Sequence, residues 1–429
     1  MNCFWVFLIM SLSQIIVVRF RELTLADVTF LYETILYVTV LFHIFVSKYF
    51  DMKDTPFVFG KLATKSDFTD RDNEIAQLAS NFRSLVNTII ISPRRWGKTS
   101  LVNRVSEMMD IQEPDLKICH IDLFNVRTEQ DFYLALAGEI LRATSTKWEE
   151  RAQNAKVFLS RLLPRISFSP DSQSEISFGI GLDELKKNPD EILNLAETIA
   201  IERELKIIVC IDEFQGIEEF DEHLAFQRKL RSHWQRHTHV SYCLYGSKRH
   251  MLLNVFSNPS MPFYKFGDLM FLEKISIQKW VEFIQKRFLD TGKEIKKEEA
   301  ILISNLTENH PYYVQQLAQQ SWLRTEYMCD DTIVDVAFQS IVNQLSLLFT
   351  NITESLSTTQ LNFIKAILSG EKQLSSQTTL QKYKLGTSGN ILRLKQSLLM
   401  REIIDIHADS IDMQDPVYKY WLCKKYFRI

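Results

Sequence analysis

The tightest constraint on what this chain can fold into is nine residues long: "SPRRWGKTS", Ser92 to Ser100, set between a β-branched run and a helical period. "NTIIIS" before it is a short apolar run bounded by polar residues and reads as a buried strand. "TSLVNRVSEMM" after it puts Leu101, Val102, Val105 and Met108 at helical spacing. Strand, tight turn and helix in that order present backbone N–H groups and the positive end of a helix dipole to an anion. A Gly-Lys-Thr tripeptide alone decides little, because ordinary residue frequencies produce it by chance. The flanking pattern is what makes a phosphate loop of it.

One position departs from the G-x-x-x-x-G-K-[ST] form, since Ser92 stands where the first glycine belongs. A serine fits there at little cost if its φ is negative. Gly97 occupies the position where a side chain would most directly crowd a phosphate. Lys98 is placed to reach β- and γ-phosphates, and Thr99 to ligate Mg²⁺. The expected ATP-binding stretch is therefore Ser92, Pro93, Arg94, Arg95, Trp96, Gly97, Lys98, Thr99 and Ser100.

A second motif lies downstream. "KIIVCIDEF", Lys206 to Phe214, is a continuous apolar strand ending in Asp212-Glu213, the form of a Walker B element. An Asp at the tip of such a strand holds the Mg²⁺ shell, and the Glu beside it is placed to activate water. "KICHIDLFNV" (Lys117 to Val126) lies between the two motifs and is expected as an extra strand separating them. "VSYCLYGS" (Val240 to Ser247) and "DLMFLEKI" (Asp268 to Ile275) read as further strands, and helical stretches alternate with them. That alternation predicts a parallel, doubly wound α/β sheet. Ser247, ending its strand, is expected to sense the γ-phosphate or position water. Between Trp148 and Leu195, Ile166/Phe168 and Ile176/Phe178/Ile180 alternate around a polar turn, predicting an inserted hairpin over about 160–182.

Length and composition are compatible with this reading. A chain of 429 residues with 46% hydrophobic and 24% charged residues supports two or three globular domains. Its net charge of −3 gives no whole-chain attraction to nucleic acid. Six cysteines without C-x-x-C spacing, three of them in apolar runs, read as reduced core residues and not as a disulfide framework or a zinc site. Residues 1–51 stand apart. Asn2 to Val18 carries no charge, and Val28 to Val46 is interrupted only by Glu33 and His43. A helix of the first run reaches about 25 Å against roughly 30 Å of hydrocarbon, a marginal span. Two readings stand: an over-extended translation start, with Met52 as the natural one, or a hydrophobic hairpin anchoring the protein to a membrane. The location is cytoplasmic in the first case and membrane-associated in the second.

Several stretches together carry a family resemblance: "FTDRDNEIAQL", "IISPRRWGKTSLV", "IIVCIDEFQ", "YGSKRHML", "NHPYYVQQLA" and "DPVYKYWL". From about Thr55 onward the chain resembles the archaeal-type P-loop ATPases of the AAA+/STAND group, which are also widespread in bacteria. The resemblance implies a P-loop NTPase with an AAA+-like parallel sheet over 52–276, a helical lid over 277–350 and a winged-helix domain over 351–429. It implies ATP and Mg²⁺ as ligands, with phosphate contacts from Gly97, Lys98, Thr99 and Ser100. Asp212 and Glu213 would handle metal and water, and Ser247 would act as a sensor. Adenine-side contacts would come from near Arg71 and His310-Pro311. Past Thr350 the residues themselves read as three short helices, the third exposing Ser388, Asn390, Arg393 and Lys395. A strand pair over "LMREIIDIHADSIDM" follows as a wing would. The expected function is an ATP-driven switch or motor; the alternatives are a DNA-associated regulator with slow turnover and a membrane-tethered ATPase. A DNA or protein partner through the winged helix and a homo-oligomer are the partners that such a chain suggests.

Overall fold

The computed structural model describes residues 55–63, 67–145, 168–170, 178–180, 188–407 and 410–429. The hydrophobic segment expected over 1–51 lies outside the described residues. So do Ile166 and Ile176 of the inserted hairpin, while its strands β3 (Phe168–Pro170) and β4 (Phe178–Ile180) pair antiparallel.

Five strands form one parallel sheet: β1 (Thr88–Ile91), β2 (Leu116–Asp122), β5 (Lys206–Asp212), β6 (Val240–Gly246) and β7 (Asp268–Phe271). Their spatial order is β2-β5-β6-β1-β7. This corrects one expectation. The strand between the phosphate-loop strand and the Walker B strand is β6, and β2 lies beyond β5 at the edge. Burial explains the choice, since β6 is buried at every residue while β2 alternates and leaves His120 and Asp122 exposed. A strand buried along its whole length belongs where helices cover both faces.

The helices divide between those faces. Asp72–Arg83 and Lys98–Gln112 pack Leu78, Phe82, Leu101, Val102 and Val105 against Ile90, Ile208 and Cys243. On the other face Glu129–Thr144, Pro189–Leu193, Leu195–Arg203, His223–Trp234 and Arg249–Ser257 cover Ile89, Ile91, Val209 and Leu244. Thr128 and Asp131 form a capping box that fixes where Glu129–Thr144 begins. The short 3₁₀ turn Phe214–Glu219 after β5 drops Phe214 into an aromatic cluster, with ring centroids 5.5 Å from Phe263, 5.7 Å from Phe256 and 6.3 Å from Trp234.

Beyond β7 the chain is mainly helical, with Ile277–Leu289, Lys297–Leu306, Pro311–Arg324, Asp331–Glu354, Thr358–Leu368, Gln377–Lys382 and Ser388–Met400. Two short strands, β8 (Glu294–Ile295) and β9 (Met328–Cys329), pair parallel between them. Strands β10 (Ile404–His407) and β11 (Ser410–Met413) pair antiparallel, and Pro416–Trp421 closes the order. Its start is set by Asp415, which accepts from the N–H groups of Val417 and Tyr418, with Pro416 in the first turn. From Ile275 to Leu422 these elements share one hydrophobic core, which also takes in Phe57. Asp331–Glu354 is long and apolar enough to cross a membrane, but Val334, Phe338, Ile341, Val342 and Phe349 bury one face of it in that core.

Removing the Phe214 ring, which has no exposed surface, is expected to cost about 3–5 kcal/mol, the usual range for a large-to-small change in a packed core. Urea unfolding of Phe214→Ala checks this, and an unchanged midpoint and slope would contradict the packing described.

Candidate functional site

The parallel register delivers three strand ends to one edge of the sheet. Ile91 of β1 lies opposite Gly246 of β6, and Ile211 of β5 lies opposite Leu244. The residues that follow, Ser92, Ser247 and Asp212-Glu213, therefore emerge side by side. Gly97 has φ +90°, a conformation in which a side chain is strained, and its carbonyl receives the N–H of Leu101 as the helix starts at Lys98. Arg95 also takes a left-handed conformation, φ +63°, with its guanidinium 4.5 Å over the Tyr312 ring. That stacking holds a backbone shape which a non-glycine residue otherwise resists.

Ser92 proves to be more than a tolerated substitute. Lys98 Nζ donates to Ser92 O at 3.0 Å, Ser92 Oγ at 3.2 Å and Pro93 O at 2.8 Å. The Ser92 hydroxyl donates in turn to Pro93 O at 3.2 Å. A glycine would remove one of the three oxygens around the ammonium. Burial pulls the Lys98 pKa down to about 8, against the attraction of Asp212 and Glu213.

Thr99 Oγ1 donates to Asp212 Oδ2 at 2.7 Å, reaching past β6, while Asp212 Oδ1 accepts from the N–H of Glu213 at 2.8 Å. Burial raises the Asp212 carboxyl above the usual range, and the bonds from Thr99 and the Glu213 N–H oppose that rise. A hydroxyl and a carboxylate in contact are hard oxygen donors of the kind Mg²⁺ takes, so the pair fits the ion. Glu213 has φ +52°. Its Oε2 accepts from Ser247 Oγ at 2.9 Å and Ser247 N at 3.3 Å, and from Gln215 Nε2.

Lys98, Thr99, Asp212, Glu213 and Ser247 line one cavity of about 520 Å³ together with Arg94, Arg95, Gly97, Ser100 and Pro311. The sequence expectations thus converge for Lys98, Thr99, Asp212, Glu213 and Ser247. Five expected residues are absent from the cavity's lining: Ser92, whose hydroxyl turns to the Lys98 ammonium, and Pro93, Trp96, Arg71 and His310. Arg71 is buried behind the loop, its guanidinium 2.8 Å from Glu74 Oε1 and 3.5 Å from the Trp96 carbonyl. His310 is buried against Tyr313 and lines a second, smaller cavity with Pro93 and Trp96. Burial pulls its pKa down to about 3, so the ring is neutral. Both residues support the loop from behind and are absent from the lining of the larger cavity.

Sequence reasoning missed Val58, Phe59, Tyr312 and Gln315 on the cavity wall. The segment before the phosphate loop is laid across it by two hydrogen bonds: Val58 N to Gln315 Oε1 at 3.1 Å and Ala63 N to Ser100 Oγ at 3.1 Å. Phe59 meets Tyr312 edge to face at 5.6 Å, giving the cavity an aromatic wall beside Arg95 of the loop. The adjacent tyrosines of "HPYY" were the one visible signal.

If Lys98 supplies charge to a ligand and not packing to the core, Lys98→Ala should keep the fold and lose nucleotide binding. Calorimetric ATP titration of the folded variant checks this. Wild-type affinity would remove the phosphate-loop reading.

Residues 96–219 match the KAP family P-loop domain. Among solved structures, a Walker-type ATPase of Pyrococcus abyssi is 16% identical, covers 86% of this chain and 99% of its own, and superposes with a TM-score of 0.61. The ORC2 protein of Aeropyrum pernix in ADPNP–ADP complexes is 15% identical, with coverage of 86% and 94% and a TM-score of 0.53. No curated protein matches the sequence. At such identities the likeness to the two structures is one of fold. By the strand order of its sheet, the phosphate loop on β1 and the acidic tip of β5, the chain has the P-loop NTPase fold.

Proposed function

We propose that the chain binds ATP·Mg²⁺ and hydrolyses it, using the reaction to rearrange its C-terminal helical part as a nucleotide-driven switch of the AAA+/STAND kind. The observation that carries this reading is the meeting of Lys98, Thr99, Asp212, Glu213 and Ser247 on one cavity wall. Lys98 offers its ammonium to the phosphates, and backbone N–H groups from Gly97 to Ser100 point to the same place at the helix start. Thr99 and Asp212 would hold Mg²⁺, which neutralises phosphate charge when bound. Glu213 takes the proton of the attacking water, and Ser247 keeps that carboxylate and the terminal phosphate within reach of one another.

Coupling to the rest of the chain has its own support. Arg249, two residues past Ser247, donates to Asp405 Oδ2 of β10 at 2.7 Å, and both side chains are largely buried. A movement at Ser247 is therefore felt by the strand pair β10-β11. We read the three helices from Thr358 to Met400 and this pair as a winged helix. The DNA-associated reading is weaker. Asn390, one of its polar residues, already donates to the Leu385 carbonyl at 3.0 Å, although Ser388 and Arg393 are exposed.

The two carboxylates should fail differently. Glu213→Gln is expected to keep ATP affinity near wild type and slow hydrolysis by roughly 10²–10⁴-fold, the scale of a lost general base. Asp212→Asn should weaken Mg²⁺-dependent binding as well. Single-turnover hydrolysis beside ATP affinity tests both, and wild-type turnover in Glu213→Gln would end the catalytic assignment. For the coupling, Asp405→Asn is expected to bind ATP normally and to lose the ATP-dependent change in protease cleavage around β10-β11. The same change as in the wild-type protein would break the link.

A further inference from the structure

Gln215 is the buried polar residue to which neither motif gives a task. It lies on the 3₁₀ turn after β5 and is 3% exposed. Its Nε2 donates to Glu213 Oε2, the oxygen that also accepts from Ser247 Oγ and Ser247 N. Its Oε1 is buried and has no hydrogen-bond partner among the described residues. An orphaned amide oxygen is destabilising, so something fixes the amide in this orientation. The carboxylate does so, because turning the amide over would set its oxygen against the oxygens of Glu213.

A second residue shapes the space. Gly246 ends β6 with a φ outside the left-handed region, so backbone freedom does not call for glycine there. Space does, since a methyl at Gly246 would overlap Gln215 Oε1 and stand 3.2 Å from Glu213 Cα. The amide therefore occupies a slot that exists only because β6 ends in glycine. Three donors on Oε2 leave Oε1 as the oxygen of Glu213 available to a water.

We propose that Gln215, seated in the slot left by Gly246, is a positioning residue for hydrolysis that fixes one oxygen of Glu213 and thereby aims the other at the attacking water. The inference rests on the reading of Glu213 as the group that activates water. Gln215 is absent from the cavity lining and bonds Glu213, not Thr99 or Asp212, so its loss should act on turnover and leave binding alone.

The test is single-turnover ATP hydrolysis and ATP affinity for Gln215→Met and Gly246→Ala in the full chain, each in the wild-type and the Glu213→Gln backgrounds. Gln215→Met keeps the length of the side chain and removes the donor. Gly246→Ala keeps the donor and displaces it, so misfolding of one variant does not decide the matter. Both are expected to slow hydrolysis about 10- to 100-fold, the scale of a catalytic group misplaced by about 1 Å, with ATP affinity near wild type. In the Glu213→Gln background neither should slow it further, because the carboxylate they aim is gone. Wild-type or faster turnover in Gln215→Met beside a slow Glu213→Gln overturns this inference alone, as does a loss that persists in the Glu213→Gln background. Wild-type turnover in Glu213→Gln itself overturns the catalytic reading on which the inference stands.

Discussion

The site depends on the register of three parallel strands. Because Ile91 pairs with Gly246 and Ile211 with Leu244, the ends of β1, β6 and β5 come level. Ser92, Ser247 and the Asp212-Glu213 pair then leave the sheet at the same edge, with Ser247 bonded to Glu213. A slip of one residue in β5 would turn Asp212 to the opposite face and break its bond to Thr99. The registers are held by burial. Every residue of β1 and β6 is buried, and the core residues of β5 have almost no exposed surface, so each shift would carry apolar side chains out of fitted places.

This geometry gives the departure at Ser92 a physical meaning. A glycine in that position offers conformational freedom, whereas the serine offers an oxygen, and Lys98 Nζ uses it together with two carbonyls. The loop thus satisfies its buried ammonium internally, and a phosphate bound there would have to replace those partners. The Walker B glutamate is handled in the same way. Ser247 and Gln215 saturate one of its oxygens, which keeps a charged group in fixed orientation inside a partly closed cavity.

Much of this was legible in the sequence because it depends on local order. A β-branched run, Gly97-Lys98-Thr99 and a helical period define strand, loop and helix without reference to the rest of the chain. The strands around Ile207 to Ile211 and Tyr242 to Tyr245 were equally plain, being runs without a charged residue. What escaped was everything decided by pairing at a distance. Nothing in "KICHIDLFNV" or "VSYCLYGS" says which inserts between β1 and β5, and the answer follows only from how completely each is buried. Arg71 and His310 carry chemistry suited to a nucleotide, yet folding places them behind the loop. Phe59 and Tyr312 look like ordinary core aromatics until the segment before the phosphate loop is laid over it by Gln315 and Ser100. Gln215 was part of a quoted motif, but its bond to Glu213 is visible only beside Gly246.

In the proposed function the wall formed by Lys98, Thr99 and Asp212 receives a metal-bound nucleotide. Equilibrium binding of ATP to the intact wild-type chain, measured with Mg²⁺ present and with the metal chelated, tests this most directly. Saturable binding that tightens when Mg²⁺ is present is expected, because Thr99 and Asp212 would add ligands to an ion that the phosphates already hold. No ATP binding under either condition, or binding indifferent to the metal, would contradict it.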